Sequence, residues 1–563
     1  MADDMGFGDL SLHGNTNVKT PRIDSIGTDG ARFERFFVCP VCSPTRAELL
    51  TGRYHPRCGV RDVSRGGERI NLDEKTMADH FRQAGYKTGL FGKWHHGTQY
   101  PYHPLGRGFE QFYGFTEGHW PTYFDAPMDD NGQLVKGKGY LPDDITDRAI
   151  DYFANEVGKG DAGSPVFLFL SFNTPHTPMQ VPDAYWNRFA NNPIALRGPQ
   201  GKLEKIESTR AALAMMENMD FNVGRVLDKI EELGQAKNTI VVFLSDNGPA
   251  ISRYNAEMKG RKGSVDEGGI RSPLFLRQKE KIKAGTKIQT ITGAIDLLPT
   301  LAELAATGLK IDEKKPLDGL SLKPLLDGDN KNWPERLLFT HWGAEIGIRS
   351  RKYRMDARGG LFDMEADPNQ KTDISGKNPE LIENYRGQIG EWKKSVGLPQ
   401  TKDLRPFPVG HEAAKITYLP ARDGSPLGGI RRSSPAANSS YFENWKRTSD
   451  RISWDVEVLA GGEFEVLVYL ANKKADLGAK IEFKLREGRL EKVLDTVYDA
   501  PVLGADKDRV PRVEESYSKD FRPVSFGKVR ISAGKGTLSL QAVTVKGKAV
   551  ADVQMIALKR LEP

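Results

Sequence analysis

The chain has 563 residues, of which 38% are hydrophobic and 28% are charged, and these values predict a globular protein of about two to four domains. No apolar run reaches the ~18 residues that a membrane-spanning helix needs, which excludes a bilayer span. The surplus behind the formal net charge of +6 falls in residues 401–563, where no Lys- or Arg-rich run occurs, and this argues against nucleic acid as a partner.

The first part of the chain has the pattern of an α/β domain. Residues 1–335 alternate short apolar runs with helical patterns, which is typical of βαβ units. Unbroken apolar runs predict strands that are buried on both faces at Val166–Phe172 and Thr239–Leu244. Apolar residues at helical spacing predict helices at Ser208–Gly234 and Ala294–Ala306. We therefore expect a large mixed, mostly parallel sheet sandwiched by helices, in a catalytic domain that ends near residue 335.

Three further segments follow this domain. Residues 336–398 combine short alternating runs with a helical pattern at Pro379–Val396, and they predict a small antiparallel α+β subdomain. Residues 399–450 are rich in Gly, Ser, Pro and Arg, which predicts a linker with loops. Residues 451–563 alternate apolar and polar side chains with period two, which predicts a C-terminal β-sandwich.

A cysteine stands at the start of a predicted helix in the segment CSPTRAELLTG, which begins with Cys42. Pro44 suits the first turn of a helix, and Gly52 suits its end. The helix N-terminus favours an anion at Cys42, and Arg46, one turn further on, can stabilise a negative nucleophile or an oxyanion. Taken alone, a cysteine in this position is more often a buried structural residue than a catalytic one.

Two polar pairs can together bind a cation. Asp246 and Asn247 follow the strand predicted at Thr239–Leu244, and open α/β sheets place their ligands at such strand ends. Asp3 and Asp4, which alone would be a solvated pair, can complete the site. Carboxylate and amide oxygens suit Ca²⁺ or Mg²⁺ and not zinc. An Asp-His pair in place of Asp-Asn would have indicated a zinc phosphatase.

Three other segments carry lysine and histidine side chains. Lys93 and His95 stand in GKWHHG, directly after a short strand predicted at Thr88–Phe91. His176 lies between two prolines in NTPHTP, and the fixed proline backbone holds it rigidly, which suits a proton donor. Lys262 stands in GRKG. Each of these residues, taken alone, could be an ordinary surface or core residue.

Together and in this order, the segments resemble type I sulfatases, the formylglycine-dependent family of the alkaline phosphatase superfamily. The Cys42 segment matches the family signature Cys-x-Pro-x-Arg-x4-Thr-Gly, and the similarity runs from Asp3 to about Val396. In this family a formylglycine-generating enzyme reads the signature and oxidises the cysteine. The resemblance therefore implies a sulfuric ester hydrolase, whose hydrated aldehyde attacks sulfur with one hydroxyl and expels sulfate through the other.

The resemblance also implies a site. It assigns one Ca²⁺, ahead of Mg²⁺, to a ligand set from three segments of the chain: Asp3, Asp4, Cys42 as formylglycine, Asp246 and Asn247. It assigns catalytic roles to Cys42, Arg46, Lys93, His95, His176 and Lys262. Lys93 and Lys262 would contact the sulfate. His176 would protonate the leaving group, and His95 would assist the release of sulfate.

The N-terminal end departs from the family pattern. Family members have a strand that leads into the equivalent of Asp3-Asp4, commonly after a secretory signal peptide, whereas only Met1-Ala2 precede the pair here. We expect a truncated or misassigned start, a missing central strand and two metal ligands on a frayed end. The resemblance implies a periplasmic or secreted location.

The cysteines Cys39, Cys42 and Cys58 are too few for a disulfide framework. A Cys39–Cys58 disulfide is compatible with the spacing but has no other support. The Cys-x-x-Cys spacing of Cys39 and Cys42 could indicate a metal or redox pair, but no second pair exists, and we set this interpretation aside.

The predicted substrate is a sulfated carbohydrate, either a polysaccharide or its oligosaccharides. The β-sandwich resembles the carbohydrate-binding-like modules of bacterial polysaccharide sulfatases, and the basic surplus favours a polyanion. Side chains at Glu117–Tyr123 and His341–Trp342 could stack on a sugar, although loop packing explains them equally well. Two alternatives remain open: a phosphonate or phosphodiester hydrolase of the same superfamily, and an inactive sulfatase-like glycan-binding protein.

Overall fold

The structure is a computed structural model that describes residues 1–158, 163–195, 204–308, 310, 312–329, 331–399 and 403–561. Within these ranges the α-helices are α1 (Pro21–Thr28), α2 (Cys42–Thr51), α3 (Met77–Gln83), α4 (Leu141–Val157), α5 (Asp183–Ala190), α6 (Ile206–Glu232), α7 (Glu267–Ile270), α8 (Leu297–Leu304), α9 (Lys323–Leu326) and α10 (Pro379–Ser395). No helix of this described part is long and apolar enough to cross a bilayer.

The strands of the first 400 residues are β1 (Ala31–Phe33), β2 (Phe36–Phe37), β3 (Lys87–Lys93), β4 (Gln111–Phe115), β5 (Pro127–Asp130), β6 (Gln133–Lys136), β7 (Val166–Ser171), β8 (Val241–Leu244), β9 (Arg271–Ser272), β10 (Leu274–Arg277), β11 (Thr286–Ile288), β12 (Thr292–Gly293), β13 (Leu338–Trp342), β14 (Glu345–Arg349), β15 (Tyr353–Met355) and β16 (Leu361–Asp363). Strands β7 and β8 fall on the two unbroken apolar runs, and α6 and α10 fall on predicted helices.

The remaining strands are β17 (Phe407–Val409), β18 (Ile416–Pro420), β19 (Ser425–Leu427), β20 (Arg431–Arg432), β21 (Phe442–Glu443), β22 (Arg451–Val458), β23 (Gly462–Ala471), β24 (Lys480–Leu485), β25 (Gly488–Val493), β26 (Val502–Leu503), β27 (Ser518–Lys519), β28 (Arg522–Ile531), β29 (Gly534–Thr544) and β30 (Asp552–Arg560).

Helix α8 differs from its prediction at its start. The pattern predicts a helix over Ala294–Ala306, but a 3₁₀ turn occupies Ala294–Asp296 and the α-helix begins at Leu297. Pro299 therefore lies in the first turn of α8, where its missing N–H costs no hydrogen bond.

Two mixed sheets form the core of the catalytic part. One has the order β6-β5-β4-β3-β7, with β3 parallel to both neighbours, and the other has the order β11-β1-β10-β8. Buried residues of α1, α4, α5 and α6 cover one side, and those of α2, α3 and α8 cover the other. The predicted α/β class, a mixed sheet sandwiched by helices, is confirmed.

The first residues of the chain join these two sheets. The Met1 amino group donates to the carbonyl of Leu170 (2.9 Å), and the Ala2 N–H donates to that of Leu244 (2.8 Å). Ala2 also forms a parallel bridge with Ser245. Residues 1–4 are buried, so the expected frayed end is wrong. An apolar cavity of about 720 Å³ lies beside these residues and is lined by β7, β8, α4, α6 and α8.

A small antiparallel unit follows. Strands β13, β14, β15 and β16 pair in chain order, and α10 packs against this sheet. The Trp392 ring of α10 stacks on Phe339 of β13, with ring centroids 5.0 Å apart.

The C-terminal part is a largely antiparallel β-sandwich. Its sheets have the orders β17-β22-β29-β24-β25 and β20-β21-β30-β23-β28, and alternate residues of the long strands fill the space between them. Residues 407–443 contribute β17–β21, so the linker predicted for this stretch is wrong. These strands are two to five residues long and are separated by Gly-, Ser- and Pro-rich turns, which hides their period-two pattern.

The same stretch attaches the sandwich to the catalytic part. Arg422 is completely buried and pairs with Glu68 at 3.2 Å and with Asp423 at 2.9 Å. Arg69 donates from Nη1 to the carbonyl of Pro406 (2.9 Å). Because Glu68 and Arg69 belong to the loop that follows α2, the sandwich packs directly behind the segment that carries Cys42.

All three cysteines are buried free thiols, so the structure contains no Cys39–Cys58 disulfide.

Candidate active site

Helix α2 places Cys42 at its first position. Val41, the N-cap, is extended, and Gly52 ends the helix with a left-handed backbone (φ +66°), which glycine adopts without steric cost. The Cys42 side chain is buried among charges. Burial raises the pKa of its thiol, and Lys93 and Lys262 oppose that rise. Both lysines therefore lie close to the residue that the signature identifies.

Carboxylates from two distant segments converge beside α2. The Asp4 N–H donates to Asp246 Oδ1 (3.1 Å), and the Asn247 side chain donates to Asp4 Oδ1 (2.8 Å). The Asp3 N–H donates to the carbonyl of Thr174 (3.0 Å). All four polar side chains of the two pairs are buried. The carboxyl ends of β7 and β8 thus hold the two pairs together.

Arg46 binds the end of β8. Its Nε and Nη2 both donate to Asp246 Oδ2, at 3.2 and 2.9 Å, and its Nη1 donates to Ser171 Oγ (2.7 Å) and to the carbonyl of Lys93 (3.3 Å). The guanidinium is completely buried. Arg46 therefore connects α2 with β3, β7 and β8 through one rigid, planar group.

Each lysine pairs with one N-terminal carboxylate. Lys93 Nζ lies 2.8 Å from Asp3 Oδ2, and Lys262 Nζ lies 2.7 Å from Asp4 Oδ1. Burial raises the pKa of Asp3 to about 6 despite Lys93. Burial also opposes ionisation of Asp4, but Lys262 holds the pKa of that carboxyl below its usual range. Three carboxylates thus face three cationic side chains, all buried except Lys262, which is partly exposed.

His176 faces the same acidic pair. Its Nε2 lies 3.6 Å from Asp4 Oδ2, and its Nδ1 lies 2.7 Å from the carbonyl of Thr177. Nδ1 therefore carries a hydrogen that it donates to the carbonyl, and Nε2 is the atom that faces the site. The His119 ring stacks on His176, with centroids 5.7 Å apart. Two imidazoles thus border the acidic cluster.

His95 is held with one nitrogen unpaired. Its backbone is left-handed (φ +78°), and its Nε2 lies 2.9 Å from the carbonyl of Val63, to which it donates. Its Nδ1 is buried and has no hydrogen-bond partner within the described part of the chain. Burial, and then Lys93, hold the pKa of His95 well below its ordinary value, so the ring is neutral at neutral pH. His96 instead contacts the carbonyl of Glu68 through Nδ1 (2.9 Å).

The acidic cluster fits a hard divalent cation. Asp3 Oδ1 and Asn247 Oδ1 are buried and accept no hydrogen bond from any described residue. Asp3, Asp4 and His176 offer ligand atoms that lie within 4.8 Å of one another. Buried oxygen acceptors without donors are unfavourable unless a cation compensates them, and oxygen donors suit Ca²⁺.

One buried arginine that the sequence did not identify holds the cluster from behind. Arg253 donates to both oxygens of Asp9, at 2.7 Å each, and to the backbone carbonyl of Asp4 (2.9 Å). The Asp4 backbone is left-handed (φ +63°), a conformation that is unfavourable for aspartate without such support. No local pattern marks Arg253, because its partners are more than 240 residues away.

Of the two segments whose side chains could stack on a sugar, the structure places Glu117–Tyr123 beside the site. This loop reaches the site through His119, whose carbonyl accepts a hydrogen bond from Ser439 Oγ (2.8 Å). Ser439 belongs to the C-terminal part, which therefore supports the wall of the site. His341 is instead buried against His55, with which it stacks.

A cysteine at a helix start, buried carboxylates and three surrounding cations on an α/β fold are an arrangement suited to the hydrolysis of anionic esters. A model of the Sulfatase family matches residues 1–307. The chain belongs to this family, and it is a sulfatase, a sulfuric ester hydrolase.

Known relatives agree with this assignment. Arylsulfatase A of Homo sapiens is 30% identical over 437 residues, which cover 69% of this chain and 81% of the relative. Uncharacterized sulfatase YdeN of Escherichia coli (strain K12) is 30% identical over 453 residues, which cover 68% and 77%. Steryl-sulfatase of Mus musculus is 28% identical over 442 residues, which cover 62% and 67%.

Solved structures have the same fold. Ps i-CgsB in complex with k-i-k-neocarrahexaose superposes with a TM-score of 0.64 at 26% identity, over 71% of this chain and 97% of that chain. The phosphonate monoester hydrolase of Agrobacterium radiobacter superposes with a TM-score of 0.54 at 21% identity, over 70% and 94%. The second likeness concerns the fold alone.

Proposed function

We propose that the protein removes sulfate from a carbohydrate, with Cys42 converted to formylglycine and one Ca²⁺ bound beside it. One observation carries the proposal: six charged side chains from distant segments meet at the first residue of α2. They are Asp3, Asp4, Asp246, Arg46, Lys93 and Lys262.

The cation would be held by oxygen atoms of Asp3, Asp4, Asp246, Asn247 and residue 42. A bound divalent ion supplies positive charge that offsets the charge developing on the sulfuryl oxygens. Asp3 and Asp4, which pair with Lys93 and Lys262 in this structure, would then bind the cation instead. Both ammonium groups would then be available to the anionic ester.

When Cys42 is oxidised to formylglycine, the hydrated aldehyde supplies one hydroxyl that attacks sulfur and a second whose deprotonation expels sulfate. Lys93, Lys262 and Arg46 would hold the sulfuryl group and neutralise its charge in a largely buried site, where such interactions are stronger than in water. Arg46 is in addition a positioning residue, because it holds Asp246 through two hydrogen bonds.

Two histidines move the protons. His176 keeps one proton on Nδ1, bonded to the carbonyl of Thr177, and donates a second from Nε2 to the departing alcohol oxygen. His95 keeps its proton on Nε2, bonded to the carbonyl of Val63, so that its unpaired Nδ1 can accept the proton whose removal releases sulfate.

A carbohydrate substrate is supported by three observations. Ps i-CgsB, 26% identical to this chain, was solved in complex with a neocarrahexaose. The His119 ring stacks on His176, the proposed proton donor to the leaving group, and Ser439 donates a hydrogen bond to the His119 carbonyl. The basic surplus of residues 401–563 favours a polyanion.

Substrate rates test the proposal. We expect the matured enzyme to hydrolyse 4-nitrophenyl sulfate and to release sulfate from sulfated oligosaccharides, with kcat/KM far above that for a phenyl phosphonate ester.

Cys42→Ser is the matched control. It keeps a hydroxyl nucleophile but lacks the second one, so it should release the alcohol once and retain sulfate. A higher rate on the phosphonate ester would favour the phosphonate hydrolase. Glycan binding without turnover would favour the inactive glycan-binding protein.

A further inference from the structure

A second cluster of side chains that can bind a metal lies beside α2. Cys39 comes three residues before the helix, Glu48 is in its last turns, His55 follows it, and His341 lies on β13. All four side chains are buried. Ligand atoms of Cys39, Glu48 and His55 lie within 4.8 Å of one another. None of these residues takes part in the proposed sulfate chemistry.

The two histidines in this cluster face each other with lone pairs. His55 Nδ1 lies 2.8 Å from the carbonyl of Val60, and His341 Nε2 lies 3.0 Å from that of Gly343, so both of these nitrogens carry hydrogen and donate. The other nitrogens, His55 Nε2 and His341 Nδ1, are 3.2 Å apart. Two neutral rings would therefore direct lone pairs at each other, which is repulsive unless a proton or a cation lies between or beside them.

No cationic side chain competes with a metal ion for Glu48. Among the described residues, no Lys or Arg forms an ion pair with Glu48, whose carboxyl group contacts the backbone N–H of His55 (3.2 Å) and the Cys39 thiol. Burial raises the pKa of Glu48 to about 8, so a bound cation would displace a proton from this group. A divalent ion with one thiolate and one carboxylate is electrically neutral, and a neutral assembly is the form that a buried site tolerates.

We propose that Cys39, Glu48, His55 and His341 bind one Zn²⁺. Sulfur and imidazole donors suit zinc, and four protein ligands without an open position are typical of a structural site. In a tetrahedral site with Zn–N bonds of about 2.0–2.1 Å, the two nitrogens are about 3.3–3.4 Å apart, close to the observed 3.2 Å. Backbone carbonyls that accept from the remote ring nitrogens are the usual orienting partners of metal-bound histidines.

The position of the site indicates its role. Cys39, Glu48 and His55 belong to α2 and its flanks, whereas His341 belongs to the antiparallel sheet of the small C-terminal unit. Zinc would therefore join the end of the helix that begins with Cys42 to that unit. A bound zinc ion would stabilise the fold and fix the position of α2. This role would not depend on Ca²⁺ binding in the acidic cluster.

Metal analysis of the full chain, expressed with zinc and dialysed extensively, tests the site. We expect about one zinc per chain. Cys39→Ser and His341→Gln should lower the retained zinc at least about tenfold. Cys58→Ser is the matched control, because Cys58 is an equally buried thiol outside the cluster, and it should keep the metal. Cys42→Ala should keep it too, which would exclude the thiol of the sulfatase site as the ligand.

A spectroscopic readout covers variants that fail to fold. Co²⁺ added to the metal-stripped Cys42→Ala chain should produce a thiolate-to-cobalt charge-transfer band in the near ultraviolet, and adding Cys39→Ser should abolish it. Less than about a tenth of an equivalent of zinc, together with the absence of the band, would show that the cluster is only a hydrogen-bonded group of neutral side chains. Equal zinc loss in Cys39→Ser and Cys58→Ser would also overturn the proposal.

Discussion

Replacing Arg253 by lysine tests how the acidic cluster is held. Arg253 makes three short hydrogen bonds, two to Asp9 and one to the Asp4 carbonyl, and it touches neither Cys42 nor the maturation signature. Lysine keeps the positive charge but lacks the planar fork, so it cannot reach all three acceptors. The Asp4 backbone, left-handed at φ +63°, would lose the donor that fixes it.

The magnitude follows from the lost contacts. Two of the three hydrogen bonds from a charged donor are lost, each worth about 1.5–3 kcal/mol. Of this loss in free energy, only the share from the hydrogen bond to the Asp4 carbonyl weakens cation binding. Asp4 is a proposed ligand of the cation, and Arg253 supports it without being a ligand itself. Substitution of such supporting residues weakens metal binding about 10- to 100-fold, which corresponds to about 1.4–2.7 kcal/mol.

The assay is a calcium titration of metal-stripped enzyme that follows hydrolysis of 4-nitrophenyl sulfate. Arg253→Lys should raise the half-saturating Ca²⁺ concentration at least about tenfold, with much of the rate recovered at saturation. Arg336→Lys is the matched control, because Arg336 makes a comparable buried pair with Asp296 (2.9 and 3.0 Å) next to α8. If Arg253→Lys shifted the calcium requirement no more than Arg336→Lys does, the account of the cluster would be refuted.

Three further substitutions probe other parts of the account. His176→Ala should lower kcat by about 10²–10⁴ for alkyl or sugar sulfates but much less for 4-nitrophenyl sulfate, whose leaving group needs no proton. An equal loss of kcat on both kinds of substrate would show that His176 is not the general acid. Ser439→Ala removes the donor to the His119 carbonyl and should raise KM for an oligosaccharide about fivefold, as expected for a net loss of about 1 kcal/mol, without affecting 4-nitrophenyl sulfate. Ser440→Ala is the control, because the Ser440 hydroxyl donates to Ala437 and accepts from Arg432 and makes no hydrogen bond to the His119 loop; it should change neither value, and a similar rise in KM there would contradict the assignment. Arg422→Met removes the ion-pair partner of two buried carboxylates, Glu68 and Asp423, and should destabilise the sandwich interface by about 3–5 kcal/mol, seen as faster proteolysis between the two parts. Replacing the exposed Arg431 by Met should have little effect.

Periodicity predicted the long elements of this fold well. Buried strands such as β7 and long amphipathic helices such as α6 carry strong patterns, because burial on two faces or along one stripe dictates their composition. Strands β17–β21 carry no such pattern. They are short, and their pairing with β22 and β30 depends on residues that are distant in sequence. They were therefore predicted as a linker.

The candidate site was predictable where local chemistry marks it. Cys42 stands in a specific signature, and Asp246 follows a recognisable strand. No local sequence pattern identifies Arg253 or Ser439. Arg253 supports the site through one hydrogen bond to the Asp4 carbonyl, and Ser439 does so through one hydrogen bond to the His119 carbonyl. The burial of Asp3 and Asp4 was also unpredictable from composition, since it depends on where Met1 and Ala2 pair between β7 and β8.

The proposed chemistry requires residue 42 to be an aldehyde and not a thiol. The most direct measurement is the fragment mass spectrum of the tryptic peptide Phe36–Arg46 from a preparation that hydrolyses 4-nitrophenyl sulfate. We expect an aldehyde at residue 42 and an intact thiol at Cys39, which serves as the control within the same peptide. A fully active preparation in which residue 42 is still a thiol would contradict the account.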